Sequence, residues 1–123
     1  DLAQAYSWPS GPWVRGVMVA SVDGATAGPE NLSGSISSPA DKAVFAHLRQ
    51  TADVILVGAG TVRAEGYRPA KRPIAVVSSS LDLDTGAPLF AEAERQTIVV
   101  TTQDADPDRM IEMSAVAEVI VAG

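Results

Sequence analysis

The sequence contains no cysteine and only one histidine, His47, among its 123 residues. Without cysteine the chain has neither disulfide bridges nor thiolate metal ligands, a composition typical of a cytoplasmic protein. A single histidine cannot build the usual zinc ligand sets, so we interpret His47 as a structural residue and predict no metal site. The longest apolar runs, such as residues 54–57, are far too short to cross a bilayer, and no signal-peptide pattern is visible at the start.

An excess of positive charge is also missing. The net charge is −6, which argues against a general affinity for nucleic acid or for an anionic membrane surface. Four of the nine basic residues nevertheless fall within one ten-residue stretch, and they are Arg63, Arg68, Lys71 and Arg72. A local basic cluster in an acidic protein is a candidate anion site, and a solvated loop is an equally good interpretation.

Apolar segments alternating with turn-forming segments indicate an α/β protein. Residues 14–20 (VRGVMVA) are mostly apolar and predict a central strand. Ser38 and Pro39 are a typical start for a helix that should continue to about Thr51, because serine caps a helix and proline fits its first position. Further strands are predicted at 54–57, 74–77, 97–101 and 118–121, with a short helix from 106 to about 114. This alternation predicts one domain over residues 1–123, with a mostly parallel sheet and helices on both faces.

The strand predicted at 54–57 ends in Gly58-Ala59-Gly60-Thr61, and a brief helical turn is expected to follow. Small residues at the end of a parallel strand let a ligand approach the backbone, and exposed amides there can bind phosphate. Two other interpretations stay open. One is a tight connection that needs glycine for its geometry alone. The other is a Rossmann dinucleotide-binding unit, which is disfavoured by Arg63 in place of the third small residue.

Two polar segments follow other predicted strands. Residues 78–80 are three serines with no acidic residue. Hydroxyls near Lys71 and Arg72 could hold a 2′-phosphate, so NADPH is favoured over NADH if a dinucleotide binds, although a simple turn also explains the serines. Asp23 follows the strand predicted at 14–20, where it could orient a substrate or form a turn with Gly24.

The order of these segments resembles the pyrimidine reductases of riboflavin biosynthesis, including the reductase half of bacterial bifunctional deaminase-reductases. The resemblance is carried by MVASVDGATA (residues 18–27) and SISSPADKAVFAHLRQTADVILVGAGTVRAEGY (residues 35–67). It implies a dihydrofolate-reductase-like fold and a homodimer. It also implies NADPH-dependent reduction of 5-amino-6-(5-phosphoribosylamino)uracil, a small-molecule substrate, to the ribityl product.

The resemblance further implies roles for individual residues. Asp23 would lie near the reacting sugar as the candidate catalytic residue. Substrate would be held by Ser33, Arg49 and Arg72, with the arginines pairing with its phosphate through bidentate hydrogen bonds. Contacts with NADPH would come from Val19, Ala20 and Ser35 near the nicotinamide, from Gly58, Gly60 and Thr61 at the phosphates together with Glu65, and from Ser79 near the adenosine end.

The sequence departs from the family pattern in three places. Glu65 replaces the usual aspartate, Ser35 stands where some members carry tryptophan, and the Glu-Gly-Gly motif that binds the cofactor pyrophosphate does not occur. We therefore expect the carboxy-terminal part of the reductase domain to be missing from this chain. The alternatives are a reductase of the same fold acting on a pterin such as dihydrofolate, and a nucleotide-binding or dimerisation module without turnover.

Overall fold

The computed structural model describes residues 1–123, which divide into two compact units, residues 1–52 and residues 53–123. None of the helices combines the length and the apolar character that crossing a membrane requires. The elements of the first unit are α1 (Leu2–Ala5), a short 3-10 helix (Ser33–Ser35) and α2 (Pro39–Thr51).

Helix α2 begins and ends where the sequence predicts. The Ser38 hydroxyl accepts a hydrogen bond from the Asp41 amide at 3.1 Å, and Pro39 occupies the first turn. This arrangement satisfies one of the orphan amides at the helix start. Near the other end, the Trp8 indole N–H donates to the Thr51 hydroxyl at 3.0 Å, which ties the irregular amino-terminal segment to the helix.

The strand predicted at residues 14–20 is wrong for this structure, because the segment belongs to no sheet. Most of its apolar side chains are open to solvent, with Val14 at 87% and Met18 at 80% of full exposure. A high content of strand-forming residues shows only that the side chains suit a pleated surface. A strand forms only where a neighbouring strand pairs with its backbone N–H and C=O groups. All four strands of the sheet come from residues 53–123 instead.

Residues 53–123 form a four-stranded parallel sheet with the strand order β1-β2-β3-β4. The α/β class and the parallel sheet are therefore confirmed, and the four strands lie within one residue of their predicted positions. Short helices connect successive strands, as parallel pairing requires. The elements are β1 (Ile55–Gly58), α3 (Ala59–Glu65), β2 (Ile74–Val77), α4 (Pro88–Ala91), β3 (Thr97–Thr101), α5 (Pro107–Ser114) and β4 (Ala117–Val121).

The core of this unit lies on one face of the sheet. Val76 and Val99 of the central strands are fully buried, and they pack in one cluster with Val62 of α3, Leu89 of α4 and Met113 of α5. The alternate residues of the strands form the other face, which stays partly open, with Leu56 at 62% and Val77 at 46% exposure. The three helices of this unit thus cover a single face of its sheet.

Two helix ends in this unit follow the rules of capping, the start of α5 and the end of α3. The Asp106 carboxylate accepts from the amides of Asp108 and Arg109, at 2.8 and 3.2 Å, and so caps the start of α5. Helix α3 ends at Gly66, which adopts a left-handed conformation with φ +60°. Glycine adopts this conformation without a steric penalty, and this position is therefore one where glycine is needed for backbone geometry.

Candidate functional site

The carboxyl ends of the four parallel strands meet at one edge of the sheet, which we call the carboxyl edge. Gly58, Val77, Thr101 and Val121 are the last residues of the four strands. In open α/β sheets ligands bind outside this edge, because the loops and helix starts that follow the strands gather there. The carboxyl edge is therefore the part of this unit in which to look for a site.

The turn at residues 58–61 lies open at the carboxyl edge. Gly58, Gly60 and Thr61 are exposed, whereas Ala59 packs into the core with Val62. Gly58 is the N-cap of α3, and no side chain caps that helix, in contrast to α2 and α5. The first amides of α3 therefore have neither an intrahelical partner nor a capping side chain.

Neither glycine of this turn is required by the local structure. Gly58 has a φ of −76°, an ordinary value for any residue, and Gly60 has no positive φ. A Cβ atom built on either glycine would meet no other atom within 4 Å. The interpretation that the turn needs glycine for its own geometry is thus not supported. The physical reason that remains for small residues here is the close approach of a ligand to the protein backbone.

The segment after β2, residues 78–83, is named the serine loop here. Ser78 is buried, and its hydroxyl accepts from the Leu81 amide at 3.0 Å, so it serves the turn itself. The Ser80 hydroxyl accepts a weaker bond from the Asp82 amide at 3.4 Å. Ser79 is exposed at the carboxyl edge. Of the three serines, Ser79 is thus the one best placed to meet a ligand.

Two further predicted residues of this unit lie away from the glycine turn. Glu65 is one helical turn beyond Thr61 on α3, on the same helix face. Arg72 precedes β2 and therefore lies at the opposite, amino edge of the sheet. Five residues of extended chain separate Arg72 from Val77, which corresponds to about 16 Å. The structure thus brings Gly58, Gly60, Thr61 and Ser79 to one edge and places Arg72 at the other.

The basic cluster predicted at residues 63–72 is partly engaged with acidic residues. Arg63 donates to the Asp82 carbonyl oxygen at 2.8 Å and lies 3.8 Å from its carboxylate. Arg68 forms an ion pair with Glu92 at 2.9 Å. Lys71 and Arg72 are exposed. The cluster therefore does not act as a single anion site, because two of its cations are directed to other partners.

The predicted site residues of the first unit lie on different local elements. Val19 is half-buried and Ala20 exposed in the extended segment, and Arg49 lies in the last turn of α2, with its guanidinium 5.3 Å from the centre of the Phe45 ring. Ser33 and Ser35 are the first and last residues of the 3-10 helix. A Cβ on Gly28 would lie 1.9 Å from the Ser35 hydroxyl oxygen, so any larger residue there would force that hydroxyl to turn away.

Asp23 is an exposed carboxylate in a tight local turn. The Ser21 hydroxyl donates to its carboxylate, and this bond, followed by the backbone amides of Asp23 and Ala25, lowers the pKa of Asp23 below its ordinary value of 3.8. Hydrogen bonds to the charged form favour ionisation. Asp23 is therefore ionised at neutral pH, where it accepts hydrogen bonds and is poorly suited to donate a proton.

Thr101, at the carboxyl end of β3, is a feature that the sequence reasoning missed. Its hydroxyl oxygen is buried and makes no hydrogen bond. An unsatisfied buried hydroxyl costs about 1–3 kcal/mol, so it is uncommon in a core. The strand sequence TIVVT has a threonine at each end. Threonine is so common in strands that its presence did not indicate an unbonded hydroxyl.

A parallel sheet with short crossover helices and an open turn at its carboxyl edge defines an α/β domain of the class that binds ligands beyond the ends of its strands. Comparison with known proteins gives the family. The chain matches the RibD C-terminal domain over residues 12–122, and it belongs to that family. The resemblance to riboflavin-biosynthesis pyrimidine reductases is thereby confirmed at the level of the domain type.

Among solved structures, the chain is similar to a pyrimidine reductase-like protein from Corynebacterium diphtheriae, with 27% sequence identity and a TM-score of 0.70. The similarity covers 84% of this chain and 52% of that protein, so the chain spans about half the length of the structure it matches. No curated protein sequence matches the chain.

Proposed function

We propose that this chain supplies dinucleotide-binding elements of an NADPH-dependent reductase that acts on 5-amino-6-(5-phosphoribosylamino)uracil. The observation that carries the proposal is the exposed turn at residues 58–61, whose two glycines have no local structural reason to be glycine. Membership of the RibD C-terminal domain family and the similarity to a pyrimidine reductase-like protein support the reductase class.

The residues of the turn fit the phosphates of a dinucleotide. The first amides of α3 lack a capping side chain, and Gly58 and Gly60 leave the backbone accessible. Backbone amides in such a turn are suitable donors to phosphate oxygens, and the exposed Thr61 hydroxyl adds another donor. Ser79 at the same edge is the candidate donor to the 2′-phosphate of the adenosine, which favours NADPH over NADH.

The proposed chemistry depends on position rather than on an activated side chain. When bound, NADPH supplies a hydride for C1′ of the open-chain form of the sugar. The family resemblance alone assigns Arg49 and Arg72 to the substrate phosphate, since guanidinium groups pair with phosphate oxygens. Arg72 lies at the edge of the sheet opposite the glycine turn, so in this proposal it contacts the substrate and not the cofactor phosphates. Because the pKa of Asp23 is lowered, we assign its carboxylate to accept a hydrogen bond from a sugar hydroxyl and leave the proton donor to solvent.

The test is a pair of measurements on the full chain. Binding is followed by titration with NADPH and NADH, and turnover by NADPH oxidation with the aminouracil ribotide and, separately, with dihydrofolate. We expect the chain to bind NADPH, and to oxidise it in the presence of the ribotide but not in the presence of dihydrofolate. Oxidation with dihydrofolate would identify a pterin reductase, binding without turnover of either compound would favour a nucleotide-binding module, and no binding of NADPH would refute the proposal.

A single substitution locates the cofactor on the chain. Thr61→Val removes a hydroxyl and keeps the shape, so we expect NADPH affinity to fall about tenfold through the loss of one bond to a charged phosphate. Thr85→Val, in which the same change is made outside α3, is the matched control and should bind NADPH as the wild type does. Unchanged affinity in Thr61→Val would remove Thr61 from the site.

The proposal includes a cytoplasmic homodimer with no nucleic-acid or membrane partner. Light scattering coupled to size-exclusion chromatography measures the mass of the assembly, and a monomeric mass would contradict this part of the proposal without affecting the cofactor site.

A further inference from the structure

We propose that Arg109 of α5 is a positioning residue that sets the preference for NADPH over NADH by holding the serine loop in place. The inference rests on the proposed function, since it concerns the 2′-phosphate end of the same cofactor. It is carried by the backbone conformation of the serine loop and by the hydrogen bonds that hold it.

The serine loop has an unusual conformation at Leu81. This leucine has a φ of +54°, in the left-handed region that bulky residues rarely adopt, and its side chain is fully buried. The Leu83 amide donates to the Leu81 carbonyl oxygen at 2.8 Å, which closes a tight turn at this point. Such a conformation persists only where surrounding contacts determine it.

Two arginines from two different helices provide those contacts. Arg109 donates through one nitrogen, Nη2, to the carbonyl oxygens of both Leu81 and Leu83, each at 2.8 Å. Arg63 of α3 donates to the intervening carbonyl oxygen, that of Asp82, at 2.8 Å. Three successive carbonyl groups of the loop are therefore held by guanidinium groups.

Arg109 is itself fixed. Its other terminal nitrogen, Nη1, donates to the Glu112 carboxylate one turn further along α5, and two-thirds of its side chain is shielded from solvent. A planar guanidinium can serve several acceptors in a fixed geometry, which lysine cannot do. The arginine therefore transmits the position of α5, a helix packed on the core, to the loop after β2.

The consequence falls on Ser79. Ser78 is buried and bonded to the Leu81 amide, so the loop is fixed from its first residue to Leu83, and Ser79 is exposed between these anchored positions. If Arg109 is replaced, the carbonyl groups of Leu81 and Leu83 lose its hydrogen bonds. The left-handed turn can then relax, and the Ser79 hydroxyl moves away from the 2′-phosphate. The bond from Arg63 of α3 to Asp82 stays in place, and α3 keeps its own packing on the core, so the loss should affect NADPH and spare NADH.

The experiment measures dissociation constants for NADPH and NADH with the full chain and with three variants. Arg109→Met removes the donors and keeps most of the stem, and Arg109→Lys retains the charge without the fork. Arg95→Met is the matched control, since it makes the same change at an exposed arginine outside α5 and the serine loop. We expect Arg109→Met to lower the NADPH preference about tenfold with unchanged NADH affinity, Arg109→Lys to lower it partly, and Arg95→Met to leave it unchanged.

A double-mutant cycle with Ser79→Ala separates positioning from general stability. If Arg109 acts through Ser79, Arg109→Met adds no further loss of preference in the Ser79→Ala background. Equal weakening of NADPH and NADH, or an unchanged preference in Arg109→Met, would overturn the inference. Should Arg109→Met fail to fold, the same comparison with Arg109→Lys decides. A wild-type chain that binds neither dinucleotide refutes the proposed function itself, and that result is distinguishable from the others.

Discussion

Replacing Gly60 by alanine separates a structural glycine from a ligand-binding one. Gly60 is the second residue of α3, it has no positive φ, and a Cβ atom at this position would contact nothing within 4 Å. Glycine in a helix costs about 0.5–1 kcal/mol relative to alanine. We therefore expect Gly60→Ala to raise the free energy of unfolding by up to this amount, and the melting temperature by a few degrees.

Binding of NADPH should change in the opposite direction. A methyl group at position 60 keeps a phosphate from approaching the first amides of α3. Loss of one hydrogen bond to a charged group costs about 1.5–3 kcal/mol, which raises the dissociation constant roughly ten- to hundredfold. A variant that is more stable and yet binds more weakly is the signature of a residue kept small for its ligand.

The assay combines thermal unfolding with NADPH titration for the wild type, Gly60→Ala and Gly86→Ala. Gly86 is the matched control because it is exposed, has no positive φ, and would meet only the Asp84 carboxylate oxygen, at an ordinary 3.4 Å. Its NADPH affinity should equal that of the wild type. If Gly60→Ala binds NADPH as tightly as the control, the reasoning that connects the open turn with the cofactor phosphates is refuted.

Three further substitutions test other parts of the structure. Thr101→Val replaces the unbonded buried hydroxyl with a methyl group, so denaturant unfolding should show a gain of about 1 kcal/mol; a loss of stability would mean that the hydroxyl is bonded in solution. Ser21→Ala removes the main cause of the lowered pKa of Asp23, so an NMR titration should show that pKa rising toward 3.8. In the wild type, the contribution of Asp23 to stability is present above pH 3.8 and is lost as the pH falls through the lowered pKa; an unchanged titration midpoint in Ser21→Ala would exclude the hydroxyl as the cause. Arg72→Ala should raise KM for the phosphorylated substrate about tenfold and KM for NADPH less; the reverse order in steady-state kinetics would assign Arg72 to the cofactor.

Local signals in the sequence were sufficient for most of the sheet and for the helices that carry caps. Ser38-Pro39 and Asp106-Pro107 each place a side-chain acceptor before a helix, and both helices begin there. Short apolar runs between turn residues located all four strands. Helix α4 was missed because its four residues, Pro88–Ala91, are too few to show a helical period. The strand predicted at 14–20 failed because no local signal tells whether a segment finds a partner strand.

In the candidate site, too, the sequence predicted the features that have a local signal and missed those that depend on distant residues. The glycine turn at 58–61 and the serines at 78–80 were visible because their residue types are unusual for a strand end. The bond of Ser78 to the Leu81 amide spans only three positions. The hydrogen bonds from Arg109 to Leu81 and Leu83 join residues that lie 28 and 26 positions apart in the chain. Such contacts follow from the packing of α5 against the sheet, and no spacing rule along the sequence encodes them.

The uncovered face of the sheet has a practical consequence for work on this protein. Leu56, Val77 and Ile120 lie on the side away from the three helices and are at least two-fifths exposed. Parallel sheets are normally covered on both faces, and a broad exposed apolar surface promotes self-association. The chain should therefore associate with itself as its concentration rises, which sedimentation velocity at several concentrations would detect.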